Sequence, residues 1–106
     1  MREFSPQDLK EYLEAAEEKP LLIDVREPWE YEQCHIEGSR LIPQDELADV
    51  SQELDPEREI VVICHYGVRS YDAAMYLEQT GFAKVGNLDG GIDAWAQEVD
   101  REMPRY

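Results

Sequence analysis

The sequence predicts an α/β fold in which a mostly parallel sheet is covered by helices on both faces. Two observations carry this prediction. Short apolar segments alternate with segments of helical periodicity from one end of the chain to the other. The two strongest apolar segments, residues 21–25 and 60–64, show no alternation of polar and apolar side chains, which is typical of strands buried on both faces of a parallel sheet. With 106 residues, the chain is predicted to form one domain over residues 1–106.

A helix is predicted to begin after Ser5. Ser5 is a favoured N-cap residue, Pro6 suits the first helical position, and the acidic Asp8 lies in the first turn. Four side chains then follow at helical spacing: Leu9, Tyr12, Leu13 and Ala16. The helix should end before Pro20, and a short strand ending at Phe4 should precede it.

The middle of the chain carries the weaker signals. Residues 28–33 predict a short helical turn, and residues 40–42 predict a weak strand closed by Pro43. Residues 44–54 carry apolar side chains at roughly helical spacing, so a helix is predicted there that ends before Pro56.

Beyond the central strand at residues 60–64, the pattern predicts a helix, a strand and a last helix. The first of these helices ends at Gly81 and is marked by Ser70, Ala73, Ala74 and Leu77. Residues 84–88 predict the strand. The last helix is marked by Ile92, Trp95, Ala96 and Val99. The residues that follow, through Tyr106, are polar and are predicted to lie on the surface.

The charge balance of the chain is strongly negative. Ten lysine and arginine residues stand against 25 aspartate and glutamate residues, which gives a formal net charge of −15. Such a field repels nucleic acids and anionic lipids, so neither nucleic acid nor membrane is expected as a partner. The favoured interpretation is a solubilising acidic surface, while a high-salt habitat or docking to a basic partner stays open.

No segment predicts a membrane span or a secretory leader. The longest apolar runs have about five residues, whereas a span needs about 20. The first residues do not show a basic segment followed by an apolar one, so a cytoplasmic protein is expected. Two cysteines, Cys34 and Cys64, are too few for a disulfide scaffold.

The segment after the central strand carries the strongest chemical signal. Cys64 ends the strand, and a helix begins about five residues later. A loop this short must turn back on itself, which the backbone freedom of Gly67 permits. Its N–H groups and the helix start should then converge on a reachable sulfur and stabilise its thiolate, while Arg69 adds a planar positive charge suited to an oxyanion. These coinciding features favour a nucleophile over an inert buried cysteine.

With these residues, the sequence resembles the rhodanese (thiosulfate sulfurtransferase) family in its single-domain form. Four ordered segments carry the resemblance: LIDVRE at 22–27, EYE and HIEGS within 30–39, CHYGVRS at 64–70, and LDGGI with AW within 88–95. Each segment alone is weak, but the ordered set is specific and covers nearly the whole chain. The resemblance implies a rhodanese-like fold with a central five-stranded parallel sheet flanked by helices on both faces.

The resemblance also implies a chemical cycle. Cys64 is the nucleophile that takes the outer sulfur of a donor such as thiosulfate, so that sulfite leaves and a cysteine persulfide remains. A thiophilic acceptor then removes the sulfur; this is cyanide in assays and a thiol or a protein cysteine in the cell. No dissociable cofactor is needed. The expected partners are a small anionic sulfur donor and a donor or acceptor protein, and the expected state is a monomer.

The loop and one arginine outside it are expected to bind the substrate. These residues are His65, Tyr66, Gly67, Val68, Arg69, Ser70 and Arg26. By family likeness Arg69 closes the loop and steers the anionic donor. His65 either supports the thiolate as an imidazolium or shapes the mouth of the pocket, and both roles stay open. Asp24 and Arg26 follow the second strand, and for Arg26 a structural role at the strand end, in an ion pair or a bond to the backbone, is favoured over substrate binding.

Two other functions are weighed against sulfur transfer. A non-catalytic rhodanese-like interaction module is the main alternative, and the intact Cys64 and Arg69 argue against it. A phosphatase is the second, because related phosphatases and arsenate reductases also use a cysteine and an arginine in one loop. Those enzymes place five residues between the two, whereas four lie between Cys64 and Arg69 here, and the shorter loop suits a sulfur atom better than a phosphoryl group.

Cys34 departs from the family pattern, which usually has glycine before the histidine of this segment. A bystander role is favoured for Cys34 over that of a relay thiol for Cys64. The adjacent pairs Cys34-His35 and Cys64-His65 lack the ligand spacing of a structural zinc site, so no metal is predicted.

Overall fold

The computed structural model describes all 106 residues and contains five strands and five α-helices. The strands are β1 (Arg2–Phe4), β2 (Leu21–Asp24), β3 (Arg40–Leu41), β4 (Ile60–Ile63) and β5 (Val85–Leu88). The helices are α1 (Pro6–Ala15), α2 (Pro28–Gln33), α3 (Leu47–Ser51), α4 (Val68–Gln79) and α5 (Gly91–Glu98), and a 3₁₀ turn (Gln44–Glu46) precedes α3. None of these helices combines the length and the apolar character needed to cross a membrane.

The strands form one parallel sheet in the order β1-β5-β4-β2-β3. The prediction of an α/β fold with a five-stranded parallel sheet is therefore confirmed. β4 lies at the centre, where Ile63 pairs with Asp24 of β2 and Val62 pairs with Asn87 of β5. Since all strands run the same way, they end at one edge of the sheet, which we call the carboxyl edge.

β4 lacks polar alternation because its side chains enter two different cores. Ile60 and Val62 pack with α3 and α4 on one face of the sheet. Val61 and Ile63 pack with α1 and α5 on the other face. Successive side chains of a strand point to opposite faces, so a strand covered on both sides needs apolar residues at every position.

One helical segment differs from its predicted bounds. α1 ends at Ala15, before Pro20 as predicted. The predicted helix over residues 44–54 is divided into the 3₁₀ turn and the short α3. Leu47 is the one fully buried apolar side chain of that segment, and a short helix with so few tertiary contacts is not held in regular form by its own hydrogen bonds.

Candidate active site

The loop after β4 places Cys64 at the carboxyl edge, beneath the N-terminus of α4. Residues 65–67 form the loop, and α4 begins at Val68. Gly67 has a φ of +95°, a left-handed conformation that glycine adopts without steric cost. A Cβ atom at this position would also lie 3.0 Å from the nitrogen of Gly90. A glycine is therefore needed to bring the start of α4 back over the cysteine.

Two hydrogen-bond donors lie within reach of the Cys64 sulfur. The Gly67 N–H donates to Sγ at 3.0 Å, and the Ser70 hydroxyl oxygen lies 3.2 Å from it. The sequence predicted several converging amides and a reachable sulfur, but one loop amide contacts Sγ and Cys64 is 1% exposed. The difference arises because residue 64 continues the inward direction of Ile60 and Val62 into the core shared with α3 and α4. The sulfur therefore lies beneath the N-terminus of α4, between the Gly67 amide and the Ser70 hydroxyl.

Asn87 is a site residue that the sequence analysis missed. It is buried on β5, and its Oδ1 accepts a hydrogen bond from the Ser70 hydroxyl. Its Nδ2 donates to the carbonyl of Gly67 at 3.2 Å and to Glu3 at 2.8 Å. Asn87 therefore fixes both the loop and the serine that contacts Sγ. The available signal was an asparagine inside an otherwise apolar strand, since a buried amide requires hydrogen-bond partners.

The double glycine after β5 lets α5 dock onto the loop. The N–H groups of Ile92 and Asp93 donate to the carbonyls of Cys64 and His65 at 2.8 and 3.0 Å. Gly91 has a φ of +59°, and a Cβ atom there would overlap both of these carbonyl oxygens. The loop is thus held by α5 on one side and continues into α4 on the other.

Arg69 is bound to Glu30 of α2. Its Nη1 and Nη2 donate to the two carboxylate oxygens at 2.7 and 2.9 Å. The Arg69 guanidinium lowers the pKa of the buried Glu30 to about 2, so the carboxylate is ionised at neutral pH. The pair fastens the start of α4 to α2, and its two charges cancel. Arg69 was predicted to steer an anionic donor, but its positive charge is neutralised by Glu30 and is not free to attract an anion.

Arg26 does not contact solvent, so its predicted role in substrate binding is corrected. Its side chain is 0% exposed. Its guanidinium donates to the Asp24 carboxylate at 2.7 Å, to the Cys34 carbonyl at 2.7 Å and to the Tyr106 hydroxyl at 2.6 Å. The structure shows the ion pair at the strand end, which was the favoured interpretation.

Four aromatic rings form a continuous row beside the loop, which we call the aromatic row: Trp29, Tyr106, His65 and Tyr66. His65 stacks on Tyr66 and on Tyr106 with ring centroids 3.9 and 4.0 Å apart, and Trp29 meets Tyr106 edge to face at 5.8 Å. Burial lowers the pKa of His65. Of the two roles left open for His65, this favours a neutral ring that shapes the mouth of the pocket over an imidazolium. Tyr66 and Val68 are exposed on the outside of the loop.

Tyr106 is the second residue that the sequence analysis missed. The last residues were predicted to lie on the surface as a polar segment. The Tyr106 hydroxyl instead accepts a hydrogen bond from Arg26 at 2.6 Å and donates one to Glu30 at 2.8 Å. It therefore joins the two ion pairs of the site, and no periodicity in the sequence signals this contact.

The second cysteine lies on the other face of the sheet. Cys34 packs in the core with α1 and α5, whereas Cys64 packs in the core with α3 and α4. This separation favours the bystander interpretation of Cys34 over the relay thiol. Cys34 has a φ of −168°, an extended conformation open to any residue, so this position does not require the glycine that is usual in the family.

Comparison of the sequence with known proteins gives one family. A family model described as a rhodanese-like domain matches residues 5–98. Over 105 residues the chain is 36% identical to the probable adenylyltransferase/sulfurtransferase MoeZ of Mycobacterium tuberculosis. That match covers 97% of this chain and 26% of the relative. The chain thus spans about a quarter of the length of this curated protein.

Comparison with solved structures gives the same fold. A rhodanese-related protein from Thermoplasma volcanium is 33% identical with a TM-score of 0.82, over 93% of this chain and 94% of that chain. A rhodanese-like domain protein from Staphylococcus aureus is 29% identical with a TM-score of 0.84, over 93% of this chain and 95% of that chain. Both likenesses extend over nearly the whole length of each protein.

Proposed function

Because the chain belongs to the rhodanese-like domain family, we propose that it is a sulfurtransferase that carries a sulfane sulfur atom on Cys64 as a persulfide. The observation that supports this most directly is the position of the Cys64 sulfur. It lies under the start of α4 and within reach of the Gly67 N–H and the Ser70 hydroxyl. The relative named as an adenylyltransferase/sulfurtransferase supports sulfur transfer as the general activity.

The first half-reaction loads Cys64. Its thiolate attacks the outer sulfur of a sulfane donor such as thiosulfate, and a new S–S bond forms at Sγ. The bond between the two sulfur atoms of thiosulfate breaks, and sulfite leaves with the bonding electron pair. The charge of the thiolate passes to the outer atom of the persulfide. The Gly67 N–H and the Ser70 hydroxyl stabilise the thiolate before the attack.

The second half-reaction returns Cys64 to its starting state. The lone pair of an acceptor forms a bond to the outer sulfur, the S–S bond breaks, and its electron pair returns to Sγ. Cyanide becomes thiocyanate in this step, and a thiol becomes a persulfide. We propose a thiol or a protein cysteine as the acceptor in the cell, with no dissociable cofactor. We also propose a monomer in the cytoplasm, where reducing conditions keep cysteines as thiols.

Mass spectrometry of the intact protein tests the proposal. The protein is treated separately with thiosulfate and with a neutral alkyl persulfide. We expect the mass of one added sulfur atom on the wild type and on the matched variant Cys34→Ser, and none on Cys64→Ser. Peptide mapping should place the addition on residue 64. Failure of both donors to form an adduct would favour the non-catalytic module.

A further inference from the structure

Three arginines lie near the Cys64 loop, and each is paired with a carboxylate. The pairs are Arg69–Glu30, Arg26–Asp24 and Arg105–Asp93, with N···O distances of 2.7, 2.7 and 3.1 Å. A guanidinium bound to a carboxylate presents no net charge to a molecule that approaches from solvent. The site therefore offers no free cation to an anionic sulfur donor.

Next to the Cys64 loop, the exposed charges that have no ion-pair partner are negative. The exposed Arg40 lies on the outer strand β3, two strands away from β4. Glu27 follows β2 and Asp89 follows β5, and both side chains are exposed at the carboxyl edge without an ion-pair partner. Lys19, Arg58 and Lys84 stand just before β2, β4 and β5, so they lie at the opposite edge. Together with the net charge of −15, this distribution repels a dianion such as thiosulfate and attracts a cation.

The aromatic row gives a cation a surface to contact. Trp29 is 58% exposed and Tyr66 is 60% exposed, at the two ends of the row. The faces of aromatic rings attract ammonium and guanidinium groups. Their apolar surface also suits the alkyl stem of a carrier, which thiosulfate lacks.

From these three observations we propose that Cys64 takes its sulfur from a cationic alkyl persulfide, in preference to a small anion such as thiosulfate. The inference rests on the proposed sulfurtransferase activity and names its donor class. The Cys64 thiolate attacks the outer sulfur of R–S–SH, the S–S bond of the donor breaks, and R–S⁻ leaves with the electron pair. The proton stays on the new persulfide of Cys64, and the thiolate that leaves is protonated by water. R carries a positive charge near the persulfide, either on a small amino thiol or on a basic polypeptide.

Three donors of similar size test the proposal. They are the persulfides of cysteamine, N-acetylcysteamine and mercaptopropionate, whose stems end in an ammonium, a neutral amide and a carboxylate. The measurement is the rate of persulfide formation on Cys64 at low salt, by rapid quench and mass spectrometry. The ammonium donor should react about tenfold faster than the carboxylate donor. Added NaCl should slow the first, accelerate the second and leave the neutral donor unchanged.

A charge reversal at the carboxyl edge provides the matched comparison. Asp89→Lys should accelerate loading by the carboxylate donor and by thiosulfate several-fold. Glu57→Lys makes the same change in net charge at an exposed position before β4, at the opposite edge, and should have a smaller effect. Equal effects of the two variants would assign the preference to the total charge rather than to the site, and would overturn the proposal.

The two sources of a cationic persulfide are separated by one further donor. A cysteine persulfide within a short lysine-rich peptide should react faster than cysteamine persulfide if the carrier is a basic polypeptide, and slower if it is a small amino thiol. Either order supports the proposal, provided that both exceed the neutral donor. Equal rates for all donors would overturn the donor class and leave the sulfurtransferase activity standing. A complete lack of loading by every donor would overturn the activity itself.

Discussion

The Ser70 hydroxyl has one proton and two acceptors within reach, the Cys64 sulfur and Asn87 Oδ1. When Cys64 is a thiolate, the proton is best given to the sulfur, because hydrogen bonds to charged groups are stronger. Ser70 is therefore a residue that responds to the charge of the nucleophile.

Ser70→Ala should slow persulfide formation by a factor of about 10 to 100, the usual cost of one hydrogen bond to a charged group. Single-turnover loading with a neutral alkyl persulfide is the measurement. Ser51→Ala is the matched control, because Ser51 is also buried but donates to the Ala48 carbonyl away from the site. An unchanged loading rate for Ser70→Ala would show that this hydroxyl does not stabilise the thiolate.

The ring and the hydroxyl of Tyr106 contact different groups: the ring stacks on His65, and the hydroxyl binds Arg26 and Glu30. Its ring covers His65, whose pKa is lowered by burial. Tyr106→Ala should therefore raise the pKa of His65 toward its ordinary value of 6.5, whereas Tyr106→Phe should leave that pKa close to the wild-type value. An NMR titration of the imidazole resonances checks both variants. The same His65 pKa in wild type and Tyr106→Ala would contradict the stacked arrangement.

The sequence predicts the contiguous part of the site and misses the distant part. Cys64, Gly67 and Ser70 lie within one short segment, so their spacing carries the information. Glu30 is 39 residues from Arg69 along the chain, and Tyr106 is 80 residues from Arg26. Such contacts depend on how the chain packs as a whole, and no local pattern encodes them.

At the scale of secondary-structure elements, the Arg69–Glu30 pair links α4 to α2. The pKa of Glu30 is lowered from 4.5 to about 2, so its contribution to stability is fully present above about pH 4.5 and is lost as the pH falls toward 2. Glu30→Gln should lower the free energy of unfolding at pH 7 by about 1–3 kcal/mol, below the range for a fully buried pair because Arg69 is partly exposed.

Urea denaturation at several pH values measures this effect. The difference between Glu30→Gln and the wild type should shrink as the pH falls below 4.5. Glu32→Gln, an exposed change on the same helix, should show no such difference. If the unfolding free energy of Glu30→Gln stays below that of the wild type by the same amount from pH 7 down to about pH 2, the ion pair does not supply this stability.

The junction between β5 and α5 depends on Gly91. Gly91→Ala places a Cβ atom against the carbonyl oxygens of Cys64 and His65, whereas Gly81→Ala, also at a positive φ, meets no atom within 4 Å. Gly91→Ala should therefore cost about 1–3 kcal/mol more in unfolding free energy than Gly81→Ala. Thermal or urea denaturation of both variants gives the comparison. Equal losses would mean that the close approach of α5 to the loop is not needed.

Elements buried on both sides are predictable from sequence, and elements with few buried contacts are not. β4 is apolar at each of its four positions, so its pattern leaves one interpretation. The segment over residues 44–54 has one fully buried apolar side chain, Leu47. Its regularity depends on contacts such as the hydrogen bond from the Gln44 N–H to the Val25 carbonyl, which the local pattern does not contain.

On the scale of the whole molecule, the parallel topology gathers the site at one edge. β2 supplies Asp24, β4 leads into Cys64, and β5 supplies Asn87 and leads into the double glycine before α5. Because β2, β4 and β5 are neighbours in the sheet, their ends lie side by side at the edge that carries Cys64. This convergence is the general property of open α/β sheets, whose sites lie at the carboxyl ends of the strands.

Transfer of the sulfur from Cys64 to an acceptor is the step that distinguishes a sulfur carrier from a cysteine that is merely reactive. Protein loaded with one sulfur atom is freed of donor and mixed with cyanide, and both the protein mass and the thiocyanate released are followed in a single turnover. We expect one thiocyanate per loaded chain, while the protein returns to its unmodified mass and Cys64→Ser releases none. A loaded protein that keeps its sulfur in the presence of cyanide, or thiocyanate formation that persists in Cys64→Ser, would contradict this expectation.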